Sequence, residues 1–174
     1  MTDKQENIHI IATGGTIDSK FFAPKEGSKV KDKSGIPDFL KNIINNHFDF
    51  TFDQFVMLDS SDITDDIRAA LAQKIQETNS NKVLITHGTN TMSETLEYLD
   101  KRLFGTKKTI ILTGAMIPMD GFCPTDGGFN LGYAIGQLQN LPSGVYIAMH
   151  GNIFKAGEAE KNFQIARFEY KKAS

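Results

Sequence analysis

Two short segments constrain this chain more than any other feature: Ala-Thr-Gly-Gly-Thr-Ile at 12–17 and Thr-His-Gly-Thr-Asn-Thr-Met at 86–92. Each sets glycine and hydroxyl residues directly after a short apolar run. If both runs are strands of one parallel sheet, Thr16 and Thr89 emerge on neighbouring βα turns at the sheet's carboxyl edge, where open α/β sheets hold their ligands. Either segment alone also reads as a glycine turn capped by threonine. Together they aim two hydroxyls and several backbone N–H groups at one crevice. A nucleophilic threonine hydrolase requires that arrangement, because a hydroxyl attacks a carbonyl only with a base beside it and donors aimed at the oxyanion.

The rest of the chain supports a sheet of this kind. Residues 8–12, 50–58, 82–86, 109–112 and 144–149 are short, rich in β-branched or aromatic residues, and ended by turn residues, which predicts strands. Between them, Ile36, Phe39, Leu40, Ile43 and Ile44 recur at helical spacing, as do Ile67, Leu71 and Ile75, and then Met92, Leu96, Leu99 and Leu103. The stretch 129–138 is apolar nearly all round, which predicts a helix packed on the sheet with Gly132 and Gly136 allowing close approach. Alternating β and α elements specify an α/β fold with a three-layer, mostly parallel sheet of Rossmann-like or flavodoxin-like type. At 174 residues and 40% hydrophobic content, a single domain spanning 1–174 is the simplest count. Residues 18–34 break the rhythm with Lys, Gly and Pro and no apolar period, and are expected to form a mobile, lid-like loop over the crevice.

Several function classes are disfavoured. The formal charge is −2, with acids and bases mixed along the chain, so no basic face invites nucleic acid. No segment approaches the ~20 apolar residues of a membrane span, and the N-terminus lacks the apolar run of a signal peptide, which makes the cytoplasm the default location. The single cysteine, Cys123, reads as an incidental thiol. None of the four histidines forms a metal-ligand set with another, and neither a metal nor a cofactor is expected. His9 reads as a strand residue and His47 as a loop residue. His87, inside the second motif, reads as a packed scaffold group, and His150 lies near the crevice. A nucleotide-binding reading through Gly14 and Gly15 has little behind it, because neither Gly-x-Gly-x-x-Gly nor a P-loop lysine is present.

Read with Thr-Gly-Ala-Met at 113–116, Thr-Asp-Gly-Gly-Phe-Asn-Leu at 125–131 and Lys161, the two threonine motifs resemble the amino-terminal domain of the bacterial-type L-asparaginases, in the same order from about residue 7 to about 168. The resemblance implies amide hydrolysis without a cofactor. It makes Thr16 the nucleophile and joins Thr89 to a lysine relay in which the lysine falls on Lys161. Spacing alone leaves Lys161 a solvated lysine among acidic neighbours. The resemblance further implies substrate contacts at Gly15, Ser60, Ser61, Gly88, Asn90 and Ala115, with backbone N–H groups around Gly15, Gly88 and Thr89 as oxyanion or carboxylate donors. It also implies assembly into a homodimer or higher homo-oligomer. The family's second domain has no counterpart before the chain stops at Ser174.

This chain departs from the family pattern in two places. In the family motif His-Gly-Thr-Asp-Thr the fourth residue is acidic, whereas Asn90 has nearly the same shape and no charge. The family aspartate serves both the relay lysine and the substrate's α-ammonium, so Asn90 is expected to weaken or alter the activity. The family's lid also brings a tyrosine hydroxyl to the nucleophile, while residues 18–34 contain Phe21 and Phe22 but no tyrosine. The expected function is therefore hydrolysis of L-asparagine or a related small amide at reduced or altered rate. The alternative is a binding or regulatory protein for a small dicarboxylate or amide.

Overall fold

The computed structural model describes residues 7–121 and 124–171, so Cys123 lies outside the described residues. The inner strands of its central sheet are runs whose side chains are buried on both faces. Alternate residues of β5 (Lys82–Thr86) enter opposite layers: Val83 and Ile85 pack with Leu71, Ile75, Leu96 and Leu99, while Leu84 packs with Leu40, Leu131, Ala134 and Leu138. The period-2 alternation of a strand sends successive side chains to opposite faces, so a run without polar interruptions can fold only as the middle layer of three. Each fully buried Ile or Leu contributes about 1.5–3 kcal/mol.

Six strands make the sheet, in the order β4-β1-β5-β6-β7-β8, from β1 (Ile8–Gly14), β4 (Phe50–Leu58), β5, β6 (Thr109–Thr113), β7 (Gly144–Met149) and β8 (Asn152–Phe154). The first five are parallel and β8 is antiparallel to β7. Helices α2 (Asp65–Glu77) and α3 (Met92–Arg102) supply one outer layer; α1 (Ile36–Asp38) and α4 (Gly127–Asn140) supply the other. From β1 the chain crosses to β4 on one side, and from β5 to β6 on the other. The strand order therefore reverses between β1 and β5, and the loops following these two strands flank the crevice that such a reversal opens.

Four local features differ from the sequence expectation. Residues 18–34 carry a β-hairpin, β2 (Ser19–Phe22) antiparallel to β3 (Gly27–Val30), rather than an irregular loop. Their hydrophobic pattern is weak because both strands lie at the surface and answer to no core face. A second hairpin, β9 (Ala159–Asn162) with β10 (Arg167–Tyr170), carries Lys161. Helix α1 opens at Ile36–Asp38 and continues as a π-helix over Phe39–Ile44. Ile36 and Leu40 are buried, but the wider turn carries Ile43 and Ile44 out of the apolar stripe, and both are more than half exposed. Finally, α4 packs through Leu131, Ala134 and Leu138, whereas a Cβ at Gly132 or Gly136 would meet nothing within 4 Å. Those glycines face open space and permit no close approach.

Candidate active site

Four loops converge beyond the carboxyl ends of β1, β4, β5 and β6, and glycines let their backbones touch. Gly15 (φ 77) approaches the second motif so closely that a Cβ there would lie 2.3 Å from Gly88 N and Cα. A Cβ on Gly88 would lie 2.6 Å from that of Ser60, and one on Gly114 would lie 2.4 Å from the His87 carbonyl oxygen. No side chain fits at these contacts. The turns holding Thr16, Ser60, Thr89 and Ala115 are thereby brought together.

Backbone and hydroxyl bonds fix the second turn. Ser60, buried, accepts from Asn90 N at its Oγ (3.2 Å), and its carbonyl accepts from Thr91 Oγ1 (2.6 Å). Asp59 accepts from Ser61 N (2.9 Å), and Ser61 is exposed beside it. His87 is fully buried. Its Nδ1 lies 2.7 Å from the Gly88 carbonyl oxygen, which can only accept, so that nitrogen carries the proton and Nε2 accepts from Thr95 Oγ1 at 3.0 Å. Thr95 in turn accepts from Arg68 Nε (3.1 Å). Burial drives the His87 pKa down to about 4, so the ring is neutral and acts as a brace beneath the turn.

Lys161 reaches this turn from β9. Its Nζ donates to Thr89 Oγ1 and to Asn90 Oδ1, both at 2.7 Å, and stands 4.9 Å from the centre of the Phe163 ring. Both acceptors are neutral. Burial lowers the lysine's pKa below its usual value, and the Asp59 carboxylate opposes that shift. Thr89 is 5% exposed, Thr16 is half-buried and Asn90 is exposed. A hydroxyl 2.7 Å from an amine whose pKa is lowered by burial has a proton acceptor beside it whenever that amine is neutral, which is the chemistry this arrangement offers.

The Gly15 amide needs correcting as a candidate oxyanion donor. It donates to the Leu58 carbonyl at 2.9 Å and is committed to the sheet edge. That leaves the amides of Gly88 and Thr89. Ala115 is buried, and the residues that follow it are held by Asp126, whose carboxylate accepts from Met116 N (3.0 and 2.9 Å) and Ile117 N (2.8 Å). Asn130 links Asp126, the Gly114 carbonyl and the His150 amide. His150 takes φ 54, accepts from Phe168 N (3.3 Å) and lies 3.6 Å from Asp126, so it braces this loop. Asp126 and Asn130 lie within the 125–131 motif, but the bonds they make are set by the loop at 114–117 and do not follow from the motif alone. The signal in the motif is the Asp-Gly-Gly-x-Asn spacing at a helix start, which puts both polar side chains on the loop before it.

A cavity of about 540 Å³ lined by His9, Thr51 and Ser80 lies at the opposite, amino-terminal edge of the sheet. Among the described residues, no group of three His, Cys, Asp or Glu side chains is placed to hold a metal ion, and no helix is long and apolar enough to cross a membrane.

Comparison with known proteins decides the family. Residues 7–169 match the profile of the asparaginase amino-terminal domain. The chain belongs to the asparaginase family. It is 32% identical over 167 residues to L-asparaginase 2 of Escherichia coli, covering 89% of this chain and 46% of that protein. It is 34% identical over 167 residues to a probable periplasmic L-asparaginase of Haemophilus influenzae, again covering 89% and 46%. Among solved structures, the probable cytoplasmic L-asparaginase of Campylobacter jejuni superposes with a TM-score of 0.77 at 30% identity, over 94% of this chain and 51% of that one. L-asparaginase I of Vibrio cholerae superposes with a TM-score of 0.83 at 25% identity, over 97% and 52%. This asparaginase-family chain thus spans about half the length of the relatives it matches, and shares their α/β fold.

Proposed function

We propose that this asparaginase-family domain hydrolyses a small carboxamide, L-asparagine or a close relative, to a carboxylate and ammonia. Thr16 Oγ attacks the amide carbon, and its proton passes through Thr89 to the neutral Lys161 amine. The Gly88 and Thr89 amides hold the oxyanion. When the tetrahedral adduct collapses, the C–N bond breaks and the departing nitrogen takes the proton back, leaving as ammonia. Water then cleaves the acyl-threonine ester, regenerating Thr16 and releasing the carboxylic acid. In this reading residues 7–169 work as one unit, and the 18–34 hairpin excludes water from the crevice.

The observation that carries the proposal is Lys161 Nζ, 2.7 Å from both Thr89 Oγ1 and Asn90 Oδ1 on a turn whose backbone touches that of Gly15. A lysine placed for solvation alone would extend away from a buried hydroxyl. The test is ammonia release from L-asparagine. Thr16→Ala should abolish it, and Lys161→Met should lower kcat by about 10²–10⁴-fold, the usual contribution of a general acid–base group. Wild-type activity that survives both substitutions refutes the assignment.

One observation favours a second reading, a protein that binds a small dicarboxylate or amide without turning it over. Asn90 is uncharged, so Lys161 has only neutral hydrogen-bond acceptors. Tight L-aspartate binding with no ammonia release from any small amide would support it.

A further inference from the structure

Asp18 is the most deeply buried carboxyl described in the structure, 1% exposed, and the proposed chemistry makes no use of it. We propose that Asp18 is a positioning residue: its carboxylate closes the base of the β2–β3 hairpin and thereby fixes the turn that presents Thr16. The proposal deepens the hydrolase reading and rests on Thr16 being the nucleophile.

One oxygen ties the two ends of the hairpin segment together. Asp18 Oδ1 accepts from Ser34 Oγ and from Gly35 N, both at 2.9 Å. The exit is anchored further: Ser34 Oγ accepts from Ile36 N (3.2 Å), Ser34 N donates to Gln54 Oε1 (3.0 Å), and Gln54 Nε2 donates to the Asp32 carbonyl (2.9 Å). Gln54 belongs to β4, so the hairpin's exit is bonded to the sheet. At the entry, Asp18 N donates to the Gly15 carbonyl (3.1 Å), Ser19 Oγ donates to the same carbonyl (3.0 Å), and the Asp18 carbonyl accepts from Lys31 N (2.9 Å).

Thr16 therefore sits in a turn fixed at both ends. On one side Gly15 is pressed against Gly88 with no room for a side chain. On the other, the amide, carbonyl and carboxylate of Asp18 are all engaged. The Asp18 Oδ2 atom is buried without a partner. Oδ1 alone accepts both bonds, from Ser34 Oγ and Gly35 N, so a shorter or apolar side chain at 18 would release the hairpin from the nucleophile's turn. Rotation of that turn by even an ångström is enough to misplace a reacting hydroxyl.

The experiment compares Asp18→Ala with Asp18→Asn. The asparagine keeps the Oδ1 acceptor in place, whereas the alanine removes it. Asp18→Ala is expected to lower kcat at least tenfold with KM within about threefold, and Asp18→Asn to restore kcat to within about threefold of wild type. Hydrogen exchange supplies a readout free of activity: the Lys31 and Gly35 amides should exchange faster in Asp18→Ala and at near wild-type rates in Asp18→Asn. If Asp18→Ala does not fold, Ser34→Ala removes one donor and leaves the carboxylate, and a fall in kcat with faster Gly35 exchange is expected. Unchanged kcat in the variant whose hairpin amides have loosened would overturn the proposal, as would unchanged exchange in Asp18→Ala. An inactive wild-type protein would instead refute the hydrolase reading. The clamp would then stand or fall on the exchange rates of the Thr16–Ser19 amides in Asp18→Ala.

Discussion

Replacing Asn90 with aspartate puts a charge where the Lys161 ammonium already points. The side-chain oxygen stays 2.7 Å from Nζ, and the change in shape is negligible. At that separation two unit charges interact by about 1.5 kcal/mol even at the dielectric constant of water, 332/(80 × 2.7). Because Asn90 is exposed, this lower figure is the appropriate one, and it corresponds to roughly one pKa unit. The lysine's pKa, now lowered by burial, should rise by about that much. If the same carboxylate also meets a substrate ammonium, a neutral hydrogen bond becomes a charge-assisted one. The gain of about 1.4 kcal/mol is a tenfold rise in kcat/KM for L-asparagine.

The assay is steady-state ammonia release across pH, for wild type, Asn90→Asp, and Asn90→Asp in a Thr16→Ala background. Two readouts separate the two effects. The ascending limb, where Lys161 loses its proton and becomes the active base, should move up by about one pH unit, and kcat/KM on the plateau above it should rise at least tenfold. Adding Thr16→Ala should abolish the gain because the nucleophile is gone. If Asn90→Asp folds normally, binds L-aspartate more tightly and still releases no ammonia, the hydrolase reading falls and the binding reading stands. A limb that does not move would show that Lys161 is not the titrating base.

Stability should also depend on pH through His87. Its folded pKa, about 4, is below the unfolded value of 6.5, so the unfolded chain binds the proton first. The stability associated with the neutral ring is whole above pH 6.5 and is lost as pH falls towards 4, by about 3 kcal/mol at most; urea unfolding midpoints across that window would show it, and midpoints unaffected by a neutral replacement such as His87→Gln would contradict it. Gly132→Ala and Gly136→Ala should each stabilise the fold by about 0.5–1 kcal/mol, because both glycines are inside a helix with open space where Cβ would sit. Thermal melts that fall would mean α4 packs there against something else. Phe163 and Ile165, 72% and 54% exposed on the turn between β9 and β10, suggest self-association. Light scattering should give at least twice the 19.3 kDa chain mass, and a monomer across a wide concentration range would rule this out.

The sequence revealed those parts that periodicity or glycine chemistry encodes. All five parallel strands were legible: β1, β5, β6 and β7 because a strand buried on both faces is a largely apolar run, as β5 shows from Val83 to Ile85, and the edge strand β4 through its aromatic and β-branched residues. The convergence at Thr16 and Thr89 was legible because a turn needing bare backbone needs glycine, and Gly15 and Gly88 mark it. The β2–β3 and β9–β10 hairpins were not: the first has no core face, and the second sends only Ala159 and Phe168 into the core, too few to set an apolar period. Their strands are set by a few specific bonds, among them that from Lys171 N to the Glu158 carbonyl at 2.7 Å. Lys161 was found only through family resemblance, because a hydrogen bond across 72 residues leaves no local trace. The loss of Gly15 as a donor was equally hidden: only the structure shows that its amide is bonded to Leu58.

The groups that hold the crevice in shape are distinct from those proposed to do its chemistry. His87, Thr95, Arg68, Asn130 and Asp18 are buried, and each is bonded to backbone or to another buried side chain. Lys161 and Asn90 lie at the rim, where the lysine's hydrogen bonds run to Asn90 and Thr89. A change at the rim is therefore expected to cost the fold little. The two classes should separate in the laboratory. Lys161→Met should leave the melting temperature within the small range of ordinary surface substitutions, ±0.5 kcal/mol, while removing activity. Thr95→Ala, which strips His87 Nε2 of its donor, should cost about 1–3 kcal/mol of stability for the unpaired buried nitrogen. If the rim substitution were the destabilising one, Lys161 would be a structural anchor of β9 and its place beside Thr89 would need no catalytic explanation.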